Sequence, residues 1–419
     1  MHKQVSFNFL SVLLVISFLT TNPAYAYTNL RPKSFKLDDS QEATLAKQEE
    51  KLGEIGFNPL LALADSKVLN VFRQIIERRY DVRVLSEIYG LGKVPPYLTY
   101  KGEQFTVAGY ADKIIQFLLL HKNQDPHSVA RMFRKEFPNM ARPLELDAIF
   151  DEYMKIKIEE FDLKVLKDTI PPNSVIADIG AGKNKLGRQI LEYSDQTGLN
   201  VKHIIGTDIN EWVNKAGDPD PRLAFLKQEH GTRFPLPANS LDVIFAKWVL
   251  HHMSYADQIM FLRSINHVLK QGGRIVIFDS LGATTDEENI WGDFEEERQN
   301  IETWPKGSFY DANLKLTHDF KELSADQQLK VHALEDFFGH NLTMGRDWMP
   351  QPFTYRSVSD LCRLFTRLGF AEIKQLRRVY GSMPIMRMGP PSIRLVFEKN
   401  KTHPSEIEMQ VNNLINQAG

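Results

Sequence analysis

Cysteine is nearly absent: Cys362 is the only one in 419 residues. No intramolecular disulfide can form, so stability has to come from an ordinary core rather than from covalent staples. Cys362 lies in SDLCRLF between apolar neighbours, which predicts a buried structural thiol rather than a nucleophile. No cysteine follows the apolar N-terminus closely, so lipid attachment by that route is excluded. An excess of one charge sign is also missing. The 51 Lys and Arg nearly balance the 53 Asp and Glu, and a net charge of −2 gives no support for a nucleic-acid partner. Repeats and low-complexity tracts are lacking. Beyond residue 26 no apolar run is long enough to cross a bilayer. No Cys, His and acidic cluster has ligand spacing, so no metal is expected.

What remains is a chain of ordinary globular composition, 42% apolar, with length for two or three domains. Residues 1–26 combine a basic start (MHKQ), an apolar core (VSFNFLSVLLVISFL) and Ala24-x-Ala26. This is the pattern of a secretory signal peptide, which implies export to a periplasmic or secreted location. The alternative is an uncleaved N-terminus that anchors the protein to the membrane. Residues 27–55 read as a polar linker or arm. Residues 56–168 read as an all-helical N-terminal region, opened by Asn58-Pro59 and including Ala111–Leu120, a helix from Asp125-Pro126 and a long helix through LELDAIFDEYMKIKIEEFDLKVLK.

The rhythm changes after Pro171-Pro172. Val175–Ile179, His203–Ile209, Ala224–Gln228, Asp242–Ala246 and Arg274–Asp279 are short Val- and Ile-rich runs, mostly separated by helical segments, notably Leu186–Tyr193 and Tyr255–Lys270. Such alternation predicts a parallel sheet with helices on both faces. An acidic, aromatic insertion (281–355) interrupts it. A helix over Ser357–Leu368 resumes it, with Ser357 and Asp360 as a capping box and Gly369 at the C′ position. Two last strands, Ala371–Val379 and Ser392–Glu398, can pair antiparallel at the sheet edge, and 401–419 form a tail.

The stretch VIADIGAGKNKLG (Val175–Gly187) carries the chemistry. A P-loop would need Lys and a hydroxyl residue after Gly187, where Arg188-Gln189 stand instead. A dinucleotide turn would place a third glycine at 185, which is Lys185 and counts against that reading. The remaining ligand, S-adenosylmethionine, is cationic at sulfur and has no phosphate. Asp178 can organise the loop and attract the ammonium group, while Gly180 and Gly182 let the backbone come close. Asp208, ending IIGTDIN, is placed to accept two ribose hydroxyls.

The downstream segments FPLPANSLDVIFAKWVLHHM, LRSINHVLKQGGRIVIFDS and SVSDLCRLFTRLGF resemble the successive motifs of class I S-adenosylmethionine-dependent methyltransferases, closest to the ubiquinone and menaquinone biosynthesis group. The resemblance covers about 170–400. It implies an α/β, Rossmann-like, seven-stranded sheet of order 3-2-1-4-5-7-6, with strand 7 antiparallel and the insertion after strand 5. It implies methyl transfer from S-adenosylmethionine to an acceptor, a small molecule or lipid rather than nucleic acid. Asp178, Gly180 and Gly182 match the family's methionine-binding loop, and Asp208 its ribose acid, with Ile209 packing on adenine. Where the family has the acid that contacts the adenine amine stands His230, with Glu229 one place earlier; either Glu229 serves with a one-residue shift or the backbone of His230 and Gly231 makes the contact. Lys247 replaces a small residue at the end of strand 4 and either approaches the acceptor or the cofactor's carboxylate or faces solvent. These two departures, together with export away from the cofactor supply, leave open a catalytically silent binding protein on the same sheet.

His251 and His252 are adjacent and read as packing or capping residues, with a base role as the alternative. Lys183, Lys185 and Arg188 read as exposed helix-start residues. Glu295-Glu296-Glu297-Arg298 read as a solvated face. The insertion's aromatics, including Trp291, Trp304, Phe309, Tyr310, Phe337, Phe338, Trp348 and Phe353, either pack it onto the sheet or line an acceptor pocket.

Overall fold

The computed structural model describes residues 58–79, 98–137, 169–209, 220–228, 232–234, 236–283, 308–343, 345, 354–380 and 392–400. The expected signal, the arm, the long helix near 144–167, the acidic run 295–298 and the tail lie outside the described residues, as do Trp291, Trp304, Trp348 and Phe353.

The sheet is built from β3 (Val175–Ile179), β4 (His203–Asp208), β5 (Leu223–Lys227), β6 (Leu241–Lys247), β7 (Leu269–Asp279), β8 (Phe370–Glu372), β9 (Arg378–Tyr380) and β10 (Ser392–Lys399). A separate hairpin, β1 (Leu98–Tyr100) with β2 (Glu103–Phe105), precedes them. The strand order is β5-β4-β3-β6-β7-β10-β8, with β9 also on β10. Counted from β3, this is the 3-2-1-4-5-7-6 order expected. The first five strands pair in parallel, and β10 runs antiparallel to β7, β8 and β9.

Strand alternation divides the core between the two faces. Ile275 and Ile277 join the larger cluster, together with Phe261 and Ile265 of α5 (Tyr255–Val268) and Leu364 and Phe365 of α8 (Val358–Arg367). Val276 and Phe278 join the other, with Leu186 and Ile190 of α4 (Lys185–Thr197). β3 is buried along its whole length, as a central parallel strand covered on both faces must be.

Several local expectations are corrected. Asn58 does cap a helical segment, accepting from Leu60 N at 3.0 Å, but Pro59–Ala64 winds as a 3-10 turn before α1 (Ser66–Arg79). The N-terminal region is not all helical, since the hairpin β1–β2 precedes α2 (Val107–His121) and α3 (Pro126–Glu136). The helix from Tyr255 ends at Val268 rather than Lys270. There the buried Lys399 amino group donates to the carbonyls of Asn266 and Leu269 at 2.5 and 2.8 Å, satisfying acceptors that the last turn leaves open. The expected strand 371–379 is likewise split into β8 and β9 by a 3-10 turn, Lys374–Leu376. Buried Arg394 supplies the reason: its Nε donates to the Leu376 carbonyl at 2.9 Å, an acceptor the turn frees from the ladder. Ser357 caps α8 through Asp360 N, and Gly369 takes a left-handed φ of 85° after it, as the residue types predict.

The insertion contributes α6 (Ser308–Lys321) and α7 (Ala325–Asp336), which widens into a π-helical turn over Phe337–Thr343. These helices pack against the N-terminal ones. Gln74 donates to Asp319 at 2.7 Å and Gln327 to Asp65 at 2.8 Å, while Phe338 meets Phe72 and Phe133 edge-on at 5.9 and 6.1 Å. Full burial of a phenylalanine contributes about 1.5–3 kcal/mol. The two distant chain segments therefore form one cap, and Phe337 and Phe338 are core residues rather than pocket lining.

Candidate functional site

Neighbouring strands β3 and β6 leave the sheet centre in opposite topological directions, and ligands of such sheets sit beyond the carboxyl ends of the strands at that switch. Three strand ends there are acidic: Asp178 on β3, Asp208 on β4 and Asp279 on β7. All three are buried.

The glycine loop follows β3. Gly180 and Gly182 adopt left-handed φ values of 71° and 52°, and Asn184 takes 59°. Gly180 N and Ala181 N both donate to the Thr207 carbonyl, at 2.8 and 3.0 Å, tying the loop to β4. Gly182 N donates to Asp208 Oδ2 at 3.0 Å. The backbone at Gly182 opens onto free space, with nothing within 4 Å of where a Cβ would lie. At Gly180 a Cβ would lie 2.6 Å from Val249 Cγ2, so this glycine lets the turn after β6 approach the loop.

Sequence reasoning passed over Asn184. It stands in a left-handed position that asparagine tolerates, is almost fully buried, and lays its amide over Gly206 of β4. A Cβ at Gly206 would lie 1.9 Å from Asn184 Oδ1 and 3.1 Å from Ala181 Cβ. Gly206→Ala is therefore expected to lower stability by about 1–3 kcal/mol through overpacking. Adding Asn184→Gly should return most of it, and thermal melts of the single and double variants check this. A single variant that melts with the wild type would contradict this packing.

Ile209 follows Asp208 and is 54% exposed, leaving an apolar face beside the carboxylate. Lys247 ends β6, half-buried, with its amino group 5.0 Å from the Trp248 ring centroid. Glu229 and His230 lie outside the described residues. Lys183, Lys185 and Arg188 are exposed, as expected of a helix start. Cys362 departs from expectation: it is half-buried rather than buried, with Sγ 3.5 Å from Glu372 Oε2 beside the Arg377–Glu372 ion pair.

The histidine pair lies in a 3-10 turn, Leu250–His252. His251 is buried, and its Nδ1 meets Asp279 Oδ1 at 2.5 Å. Asp279 also accepts from Leu250 N at 3.0 Å and Ser280 N at 2.8 Å. Burial alone pulls the His251 imidazole down. The charge and hydrogen bond of Asp279, then Asp336 and Glu335, outweigh it and push the pKa up to about 9. His251 is thus a cation at neutral pH, which removes it as a general base and makes it one partner of a buried ion pair. The Tyr355 ring stacks on it at 5.3 Å with an interplanar angle of 4°. Asp336, Tyr355 and His340 of this surrounding were not legible from spacing, because they come from the insertion. Asp279 did carry a signal, an acid ending an apolar run as Asp178 does. Among the described residues no group of three or more His, Cys, Asp or Glu could hold a metal ion, and no helix is long and apolar enough to cross a membrane.

Residues 177–277 match the model of a family described as a methyltransferase domain. No curated protein matches the chain. Among solved structures, it is similar to an S-adenosylmethionine-dependent methyltransferase from Mesorhizobium loti, at 14% identity and TM-score 0.34, covering 57% of this chain and 96% of that one. It is similar to 1,6-didemethyltoxoflavin-N1-methyltransferase from Burkholderia thailandensis, bound to 1,6-didemethyltoxoflavin and S-adenosylhomocysteine, at 14% identity and TM-score 0.33, covering 66% and 92%. A third similarity is to Haemonchus contortus phosphoethanolamine N-methyltransferase 1, at 13% identity and TM-score 0.38, covering 70% of this chain and 53% of that one. The glycine loop, Asp208 at the end of β4 and the turn after β6 all fall within the segment, residues 177–277, that matches the methyltransferase-domain family.

Proposed function

We propose that the protein transfers the methyl group of S-adenosylmethionine to a small-molecule or lipid acceptor. The observation that carries this reading is the joining of the glycine loop to Asp208 by the Gly182 N–H at 3.0 Å, at the carboxyl edge of the sheet. The residues fit that cofactor. Gly182 is open to an approaching ligand, the nearby acids suit an ammonium and a diol, and the cations beside the loop point to solvent, where no phosphate has to be held.

When bound, the cofactor supplies a methyl group already activated on a sulfonium. The remaining work falls to the chain. Asp208 accepts hydrogen bonds from the ribose hydroxyls through the oxygens that Gly182 N orients. Asp178 favours the ammonium group by charge, and Ile209 offers an apolar face to adenine. Val249 closes the loop from the β6 side. Holding donor and acceptor in line and excluding water is the larger part of catalysis for so reactive a group, and His251, already protonated, takes no proton from the acceptor. The near-neutral charge of the chain supports an acceptor other than nucleic acid.

Incubation with methyl-tritiated S-adenosylmethionine and separate aqueous and lipid extracts of cells tests this. Label is expected in a low-molecular-weight or lipid product, and the phase that carries it separates the two acceptor classes. Label in neither phase, from protein that binds the cofactor, would favour the silent binding protein instead.

A further inference from the structure

The insertion reaches the switch point through charge, although apolar packing already holds it to the N-terminal helices through Phe338. Asp336, at the end of α7, lies between two imidazoles: its Oδ2 is 3.5 Å from His251 Nε2 and its Oδ1 is 3.6 Å from His340 Nε2. The Tyr355 hydroxyl donates to the same carboxylate. On its other side His251 is held by Asp279. Its carbonyl accepts from Thr354 N at 2.8 Å, and Gln258 Nε2 ties the carbonyls of Leu250 and Thr354, each at 3.0 Å. Three segments far apart in sequence thus converge on one imidazole: the turn after β6, the end of α7 and the return segment at 354–356. Two residues before His251, Val249 rests against Gly180 of the cofactor loop.

Asp279, fully buried, and Asp336, partly buried, face each other across His251 and would repel without a cation between them, and leaving Asp279 unpaired is costly. Glue between the insertion and the sheet needs no charge at all. The arrangement makes sense if the position of the turn matters more than adhesion. We propose that Asp336 is a positioning residue for the methyltransferase site: through His251 it seats the Val249–His252 turn against the glycine loop, so that binding of an S-adenosyl ligand depends on the insertion being docked. This inference rests on the cofactor reading above.

The groups facing His251 are Asp279 from β7, Asp336, Glu335 and His332 from α7, Tyr355 from the return segment, and His252 beside it. Burial and the His251 charge push His332 down to about 3, so it stays neutral and adds no competing cation. The acids therefore set the protonation of His251, and deleting the Asp336 charge lowers it.

The test uses the full chain and S-adenosylhomocysteine, titrated calorimetrically from pH 6 to 10, with the histidine Cε1–H resonances followed in parallel. Wild-type affinity is expected to be flat near neutrality and to fall as His251 loses its proton near pH 9. Asp336→Asn is expected to bind roughly fivefold or more weakly at pH 8, a coupling of ordinary size, with its fall moved to lower pH in step with the His251 resonance. Asp336→Glu should restore both. Tyr355→Phe, which removes the hydroxyl that holds the Asp336 carboxylate but leaves its charge, should weaken binding without moving the fall to lower pH, and serves if Asp336→Asn does not fold. Folded Asp336→Asn with wild-type affinity and an unmoved profile, or folded Tyr355→Phe in its place with wild-type affinity, would overturn the proposal. A folded wild type that binds at no pH would instead overturn the cofactor reading beneath it.

Discussion

Asp279→Ala is expected to lower stability by about 3–5 kcal/mol, the cost of breaking a buried ion pair by removing one partner, which corresponds to roughly 10 °C in melting temperature. Asp279 is completely buried and is acceptor to His251 and to the backbone N–H groups of Leu250 and Ser280. Its loss leaves a cation and two donors without their anion in one place. The sign of the pH dependence follows from the raised His251 pKa. An unfolded imidazole loses its proton near pH 6.5, whereas the folded one holds it to about 9. Between those values the native state binds a proton that the unfolded state does not, so stability falls as pH rises. The contribution is complete below about pH 6.5, declines through the window and is gone above about pH 9. It totals about 3 kcal/mol, because holding one proton across each pH unit of that window is worth about 1.4 kcal/mol. Calorimetric melts of wild type and variant at pH 7 and pH 9.5 should show the gap between them narrowing. An equal gap at both would mean that His251 is neutral in the folded protein.

Asp208→Ala is expected to weaken S-adenosylhomocysteine binding by about 100-fold or more. Charge-assisted hydrogen bonds contribute about 1.5–3 kcal/mol each, and this carboxylate has two ribose hydroxyls to meet. It also accepts from Gly182 N in the protein itself, so the alanine variant loses order in the loop as well as contacts to the ligand. Asp208→Asn separates the two effects. It keeps an acceptor oxygen for Gly182 N while losing the charge, and an affinity between those of wild type and Asp208→Ala is the expected result. Circular dichroism guards against a trivial cause, because Asp208 lies at the edge of the sheet and its loss should leave the fold intact.

The order of the central sheet was legible because each parallel strand holds a short apolar run ending at a turn, although β7 begins at Leu269, before the run at Arg274–Asp279 that predicted it. Asp178 and Asp208 were legible for a related reason, as charges that end buried runs. Elements shaped by distant partners were not. The split between β8 and β9 depends on Arg394, and the end of α5 depends on Lys399, both arriving from β10. Asn184 escaped notice because its role is to occupy a left-handed position over Gly206, which only the packing reveals. The His251 environment was the least legible. The adjacent histidines stood out, but the groups that make His251 a cation rather than a base come from β7 and from an insertion whose spacing carries no periodic signal.

The central claim is that the glycine loop and Asp208 form a site for an S-adenosyl ligand. Calorimetric titration of the full chain with S-adenosylhomocysteine at pH 7.5, beside Asp208→Ala, tests it most directly. The account predicts one-to-one binding in the micromolar range that disappears in the variant. Folded wild-type protein that takes up no ligand, or an Asp208→Ala variant that binds as tightly as wild type, would contradict it.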